Sequence, residues 1–412
     1  MEHVNQLATK DKVHIVPDGT VATPKGFSAG GLHCGIRKKK LDLGWIYSEV
    51  PAVATGVYTT NLFQAPPLKV TQESIAKENK IQALLVNSGV ANACTGKQGL
   101  EDAYQMRHLF AKTMNISEHH TAVASTGLIG ELLPMDKISD GINQIHAEEN
   151  NHVSRFETAI LTTDTREKGV AVEFEIDGKL VSIGGAAKGS GMINPNMATM
   201  LSFITTDANI GNQELSVALK EITNKSFNMI TVDGDTSTND MVLVLANGKA
   251  DNEMLSKEHA EWITFFEALK LVCELLAKEI ARDGEGATKL VEVQVNGAVN
   301  DEAAQAISKS IISSNLVKTA IHGADANWGR IITAIGYSGQ QLDPDKVNVS
   351  LGQIKVVEDG MPFAFDEISA KNYLLKDTIT IFVGLGDGEG SGTAWGCDLS
   401  YEYVRINASY RT

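Results

Sequence analysis

Strand patterns and helix patterns interleave from one end of this chain to the other. Short apolar, β-branched runs bounded by Gly, Asn or Asp occur at "IQALLVNSG" from Ile81, "HTAVASTG" from His120, "GVAVEFEIDGKLVSIGG" from Gly169 and "MVLVLANG" from Met241; each reads as a strand. In the third, Asp177-Gly178 accepts the positive φ of a tight turn, so a hairpin is expected there. The clearest helix is "SKEHAEWITFFEALKLVCELLAKEIARDG" from Ser256, where Ile263, Phe266, Leu269, Val272 and Leu276 recur at helical spacing until Asp283-Gly284 stops it. Shorter helices are expected in "LEDAYQMRHLFAKTM" from Leu100, "PMDKISDGINQIHAEE" from Pro134 and "NDEAAQAISKSIISS" from Asn300. Such interleaving places the fold in the α/β or α+β class.

A chain of 412 residues has room for one large unit or two packed domains. Its 43% hydrophobic and 21% charged residues are those of a folded globular protein. A net charge of -15 works against a broad grip on nucleic acid or an anionic membrane, so neither is expected as a partner. The one basic run, Arg37 to Lys40, reads as a solvated loop or strand end. Cys34, Cys94, Cys273 and Cys397 are far apart without a CxxC pair, which suggests reduced thiols and no zinc site. The N-terminal "MEHVNQLATKDKVHIV" lacks a secretory apolar region and no apolar run is long enough to cross a bilayer, so the expected address is cytoplasmic.

The best punctuation in the chain is a Gly/Asn/Pro cluster from Gly184 to Asn196, which leads into "KGSGMINPNMATML" from Lys188 to Leu201. Gly184, Gly185, Gly189 and Gly191 suit a turn, and the spacing is not that of a phosphate loop, because Lys188 precedes Gly189 and a strand pattern follows. At the end of this turn stands Ala198-Thr199. Thr199 is a plain strand-starting residue on one reading. On the other, its Oγ attacks the preceding carbonyl, shifts the acyl group from nitrogen to oxygen, and water then breaks the chain before Thr199. The freed α-amine, with an unperturbed pKa of about 7.7 to 8.0, would serve as the hydroxyl's own general base.

Such a nucleophile needs donors for an oxyanion, and "ASTGLIGE" offers the Thr126 hydroxyl and the Gly127 N–H, though a strand-ending turn is the plainer reading. In "VDGDTSTNDM", Asp233, Asp235 and Asp240 are candidate metal ligands, but the loop lacks the Gly and Glu placement of an EF-hand and reads better as a hydrogen-bonded turn. The ten histidines show no HExxH spacing, so no metal is expected.

Taken together and in order, "KGSGMINPNMATML", "STGLIGE", "LTTDT", "DGDTSTND", "RDGEGATKL", "HGADANWGR" and the C-terminal "NASYRT" resemble ornithine acetyltransferase, the glutamate N-acetyltransferase family of arginine biosynthesis, from "GFSAGGLHCGIRK" onward. The resemblance implies a sandwich of helices on stacked mixed sheets, similar in layering to N-terminal-nucleophile hydrolases but differently connected. It implies cleavage between Ala198 and Thr199 into an α chain, 1–198, and a β chain, 199–412, commonly assembled as α2β2. Thr199 matches the nucleophile, Thr126 and Gly127 the oxyanion pair, and Thr162, Lys188, Thr199, Glu285, Asn407 and Thr412 the substrate-binding positions. Thr163, beside Thr162, leaves that register open by one; Leu161 stands where Met is more familiar, a volume-conserving change. N-acetylornithine and glutamate are the implied substrates, no cofactor is expected, and the use of acetyl-CoA as a co-substrate is left open. A threonine amidohydrolase or aminopeptidase using the same self-generated nucleophile, and a binding protein in which the loop is only a turn, are the competing readings.

Overall fold

The computed structural model describes residues 12–146, 152–194 and 200–409. Two sheets form its frame. The first contains β1 (His14–Ile15), β2 (Phe27–Leu32), β3 (Leu43–Tyr58), β4 (Lys80–Val90), β5 (Thr121–Leu128), β6 (Lys168–Ile176), β7 (Lys179–Lys188), β8 (Leu201–Thr206) and β10 (Met241–Ala246). Its order is β1-β6-β7-β8-β10-β3-β4-β5, with β2 on β3. The second runs β14-β13-β12-β15-β11-β16-β9, built from β9 (Ile230–Thr231), β11 (Leu290–Ala298), β12 (Asn348–Leu351), β13 (Ile354–Glu358), β14 (Met361–Pro362), β15 (Thr378–Gly384) and β16 (Gly390–Cys397).

The helices are α1 (Pro66–Glu78), α2 (Gly96–Met114), α3 (Met135–Ile142), α4 (Val153–Ile160), α5 (Asn212–Lys225), α6 (Trp262–Arg282), α7 (Asp301–Ser313), α8 (Asn315–His322), α9 (Trp328–Gly336), α10 (Glu367–Leu374) and α11 (Tyr401–Ser409) among the described residues. α6 lies between the sheets, packing on β6 and β7 on one side and on β11 and β16 on the other. One apolar core accordingly joins Phe174 of the first sheet, Phe265 and Val272 of α6, and Val293 and Ala394 of the second. Full burial of each such Phe or Val stabilises by about 1.5–3 kcal/mol. The mixed, stacked architecture is the α/β sandwich expected.

All four strand segments and the hairpin form, with Asp177 at φ 52° and Gly178 at φ 69° in its turn. α7 is started by Asn300, whose side chain accepts the Ala303 N–H at 2.8 Å. Several details differ from the sequence reading: α3 stops at Ile142, short of the expected end of its segment, and α6 starts at Trp262 rather than at Ser256. The inward stripe of α6 runs from Trp262 and Phe265 through Leu269, Val272 and Leu276, which leaves Ile263 on the outer side and 47% exposed. Gly184 and Gly185 belong to β7 rather than to a turn. Packing is what requires glycine there: a Cβ on Gly184 would stand 2.1 Å from the Thr20 carbonyl oxygen, and one on Gly185 would stand 2.8 Å from Leu276 of α6.

The site is placed by the centre of the first sheet. β7 ends at Lys188, which pairs antiparallel with Leu201 at the start of β8. β8 then runs parallel to β10, and β10 antiparallel to β3.

Candidate active site

A cavity of about 180 Å³ opens where β5, β7, β8 and α11 converge. Thr126, Gly127, Thr162, Lys188, Glu285 and Asn407 all line it, together with Thr163. Sequence positions spread over nearly three hundred residues are thus brought to one pocket. Ala198, Thr199 and Thr412 lie outside the described residues; Met200 and Leu201, which follow Thr199, line the same cavity.

Thr126 and Gly127 sit at the mouth of β5. Gly127 has φ 130°, and a Cβ on it would stand 2.3 Å from the Gly89 carbonyl carbon of β4. The parallel pairing of β4 and β5 becomes irregular at Gly89–Val90. An interrupted ladder can offer N–H groups to a ligand rather than to the next strand. The Lys188 ammonium donates to Thr162 Oγ1 at 2.8 Å and to Thr126 Oγ1 at 3.4 Å. By occupying a lone pair on Thr126, it leaves that hydroxyl's proton to point at an acceptor in the pocket. It is the hydroxyl of Thr162, rather than of Thr163, that meets Lys188.

Beneath Lys188 is a buried charge network. Asp164 accepts from Lys168 Nζ at 2.8 Å, from the Gly189 N–H at 2.7 Å and from the Thr162 N–H at 2.9 Å, with Lys188 Nζ at 4.0 Å. Lys168 also donates to Asp283 at 2.6 Å, and Asp283 takes the Thr165 N–H at 3.0 Å. Burial by itself would raise the Asp164 pKa, but Lys188, Lys168 and the hydrogen bonds outweigh it and hold the carboxyl well below the usual range. Burial lowers the pKa of Lys188, against the pull of Asp164, Asp240 and Glu285. A desolvated ammonium of this kind gains most from a bound anion.

On another wall, Glu285 is buried and accepts from Asn407 Nδ2 at 2.8 Å. Gly191 makes room for it, since a Cβ there would stand 2.4 Å from its carboxyl carbon. Lys188 and Glu285 put a cation and a carboxylate on two walls of the cavity, which suits a ligand carrying both an ammonium and a carboxylate.

Sequence reasoning missed several members. Arg37 is tied into the structure rather than solvated, donating to the carbonyls of Leu161 at 2.6 Å and Thr162 at 3.2 Å. The three acidic residues of "VDGDTSTNDM" do form a hydrogen-bonded turn at the cavity wall. Asp240 is 3% exposed, lines the cavity, and its Oδ2 has no hydrogen-bond partner among the described residues. Burial raises its pKa well above the ordinary value. While the unfolded chain ionises this group above its ordinary pKa, the folded chain does not, so folded stability falls as pH rises from there toward the folded pKa. Asp240→Asn keeps the shape and removes that loss. Its melting temperature should exceed the wild type's by a few degrees at pH 7, with the gain vanishing below the usual carboxylate range; thermal melts across pH test this.

The sequence profile of the ArgJ family matches residues 28–412. The chain belongs to the ArgJ family. An arginine biosynthesis bifunctional protein ArgJ from Oceanobacillus iheyensis is 58% identical, the match covering 99% of this chain and 100% of the relative. One of the same name from Geobacillus kaustophilus is 59% identical over 98% of this chain and 100% of its own. A crystal structure of an arginine biosynthesis bifunctional protein ArgJ from Bacillus halodurans is 58% identical with a TM-score of 0.51, covering 52% of this chain and 100% of the solved one. This ArgJ-family chain is an acetyltransferase of arginine biosynthesis, and Thr162, Lys188, Glu285 and Asn407, four of the six positions expected to bind substrate, line the pocket described above.

Proposed function

We propose that the enzyme moves the acetyl group of N2-acetyl-L-ornithine to the amine of L-glutamate through an ester on Thr199, and that it also takes acetyl groups from acetyl-CoA. The observation that carries the reading is the Lys188 ammonium bonded to Thr126 Oγ1, facing a cavity that Glu285 also lines. Thr199 Oγ attacks the acetyl carbonyl while its own α-amine takes the hydroxyl proton. Thr126 and Gly127 hold the oxyanion. The carbon–nitrogen bond then breaks, the departing ornithine amine receives that proton, and an acetyl-threonine ester remains. Glutamate's amine attacks the ester, the α-amine again takes a proton, and Thr199 Oγ recovers it as the carbon–oxygen bond breaks. Lys188 suits a substrate carboxylate and Glu285 a substrate ammonium.

The free α-amine of Thr199 requires cleavage after Ala198. The sheet accounts for how an α chain, 1–198, and a β chain, 199–412, would stay together: β8 and β10 of the second piece lie between β7 and β3 of the first. Separating them would break the β7–β8 and β3–β10 ladders and the core between them. An α2β2 assembly is part of the proposal. No helix among the described residues is long and apolar enough to cross a membrane.

Incubating the purified enzyme with N2-acetylornithine and glutamate should give acetylglutamate and ornithine in equal amounts. Free acetate in place of acetylglutamate would make it a hydrolase and sink the proposal. With acetyl-CoA as the sole donor, acetylglutamate should still form.

A further inference from the structure

The two ends of the Lys188–Leu201 connection are both held by residues 231–241. Upstream, the Asp233 carboxylate accepts the Met192 N–H at 2.7 Å and the Ile193 N–H at 2.8 Å, one on each oxygen. Met192 has φ 55°, a left-handed conformation that is unfavourable for a non-glycine residue and that turns successive N–H groups toward one anion. The Ile193 carbonyl accepts the Val232 N–H at 2.7 Å and the Thr231 hydroxyl at 3.1 Å. Asn194 Nδ2 donates to the Gly234 carbonyl at 3.0 Å, and Thr236 Oγ1 donates to the Asn194 carbonyl at 3.0 Å. Downstream, the Met241 N–H bonds the Met200 carbonyl at 2.9 Å.

The bracket is itself anchored at both ends, by β9 in the second sheet and β10 in the first. Between its two grips run only residues 195–199, which include the bond before Thr199. Fixing both ends of so short a segment removes most of the conformational search that the acyl shift would otherwise need. We propose that Asp233 is a positioning residue for self-cleavage, holding the chain before the Ala198–Thr199 bond so that the bond is presented to the hydroxyl that attacks it. This rests on the self-cleavage reading above. Asp233 acts through the Met192 and Ile193 amides, whose hydrogen bonds it accepts.

In Asp233→Asn one carboxylate oxygen becomes an NH2 group, which meets a backbone N–H instead of accepting it. Freshly synthesised Asp233→Asn chain should cut itself at least about tenfold more slowly than wild type, followed by gel or intact mass. Its uncut form should melt within a few degrees of uncut Thr199→Ala, which separates lost positioning from lost stability. Hydroxylamine, which cleaves esters, should not restore the rate, because the defect precedes the ester. Thr236→Val, which removes one hydroxyl at the edge of the bracket, should slow cleavage severalfold and decides the matter if Asp233→Asn does not fold. Wild-type cleavage rates in the variants, or full rescue by hydroxylamine, would overturn the proposal. A wild type that stays uncut would instead remove the self-cleavage reading on which it rests.

Discussion

Thr199→Ala should leave a single uncut chain of 44.2 kDa and abolish acetyl transfer. Both effects come from one oxygen. In the precursor that oxygen is needed for the nitrogen-to-oxygen acyl shift, and in the mature enzyme it carries the acetyl group. Without the shift there is no free α-amine either, so the variant loses nucleophile and base together. Turnover should drop by about 10⁴-fold or more, the scale seen when a nucleophile is removed from an acyl-transfer site. Thr199→Ser, which keeps the hydroxyl, should still cut itself and retain measurable transfer. Intact-mass analysis and an acetylglutamate assay on one preparation read both effects, and a cut, active Thr199→Ala protein would remove Thr199 from the mechanism.

What the sequence made legible was local chemistry and local periodicity. The strands at Ile81, Gly169 and Met241 follow from runs of adjacent residues, and the hairpin at Asp177-Gly178 from a dipeptide. Thr126, Thr162, Lys188, Glu285 and Asn407 became readable because short motifs surround them, and the fold then gathers them around one cavity. Long-range partnerships were not legible. Arg37 belongs to a basic run that looks solvated, and only the approach of the Leu161–Thr162 carbonyls, over a hundred residues away in sequence, gives it a role. Gly184 and Gly185 looked like turn residues because the closeness of Thr20 and Leu276 leaves no trace in the neighbouring sequence. The same holds for Asp164: the sequence shows an Asp beside two threonines, but not that Lys168, Lys188 and the Gly189 amide converge on it.

That convergence makes Asp164→Ala the second large effect expected. Deleting this carboxylate leaves Lys168 with Asp283 alone, takes the nearest anion from Lys188, and strands the Gly189 N–H in the interior. Breaking a buried charge pair by removing one partner costs about 3–5 kcal/mol, a large part of the stability of a typical domain. The pH dependence has a definite sign. Because the Asp164 carboxyl is held below the usual range in the folded chain, its stabilisation is present above that range and is lost as pH falls through its folded pKa. The gap between wild type and Asp164→Ala should therefore be full at pH 7 and close in strong acid, as denaturant melts at several pH values would reveal. Asp164→Asn, which keeps an acceptor for the amides, should fold better and expose the effect on the pocket. With this anion gone, burial lowers the Lys188 pKa further. Less of the lysine is then charged as pH rises, so the KM for a carboxylate-bearing substrate should climb at lower pH than in the wild type. A KM profile parallel to the wild type's would mean that Asp164 supports the fold without tuning the ammonium that faces the substrate.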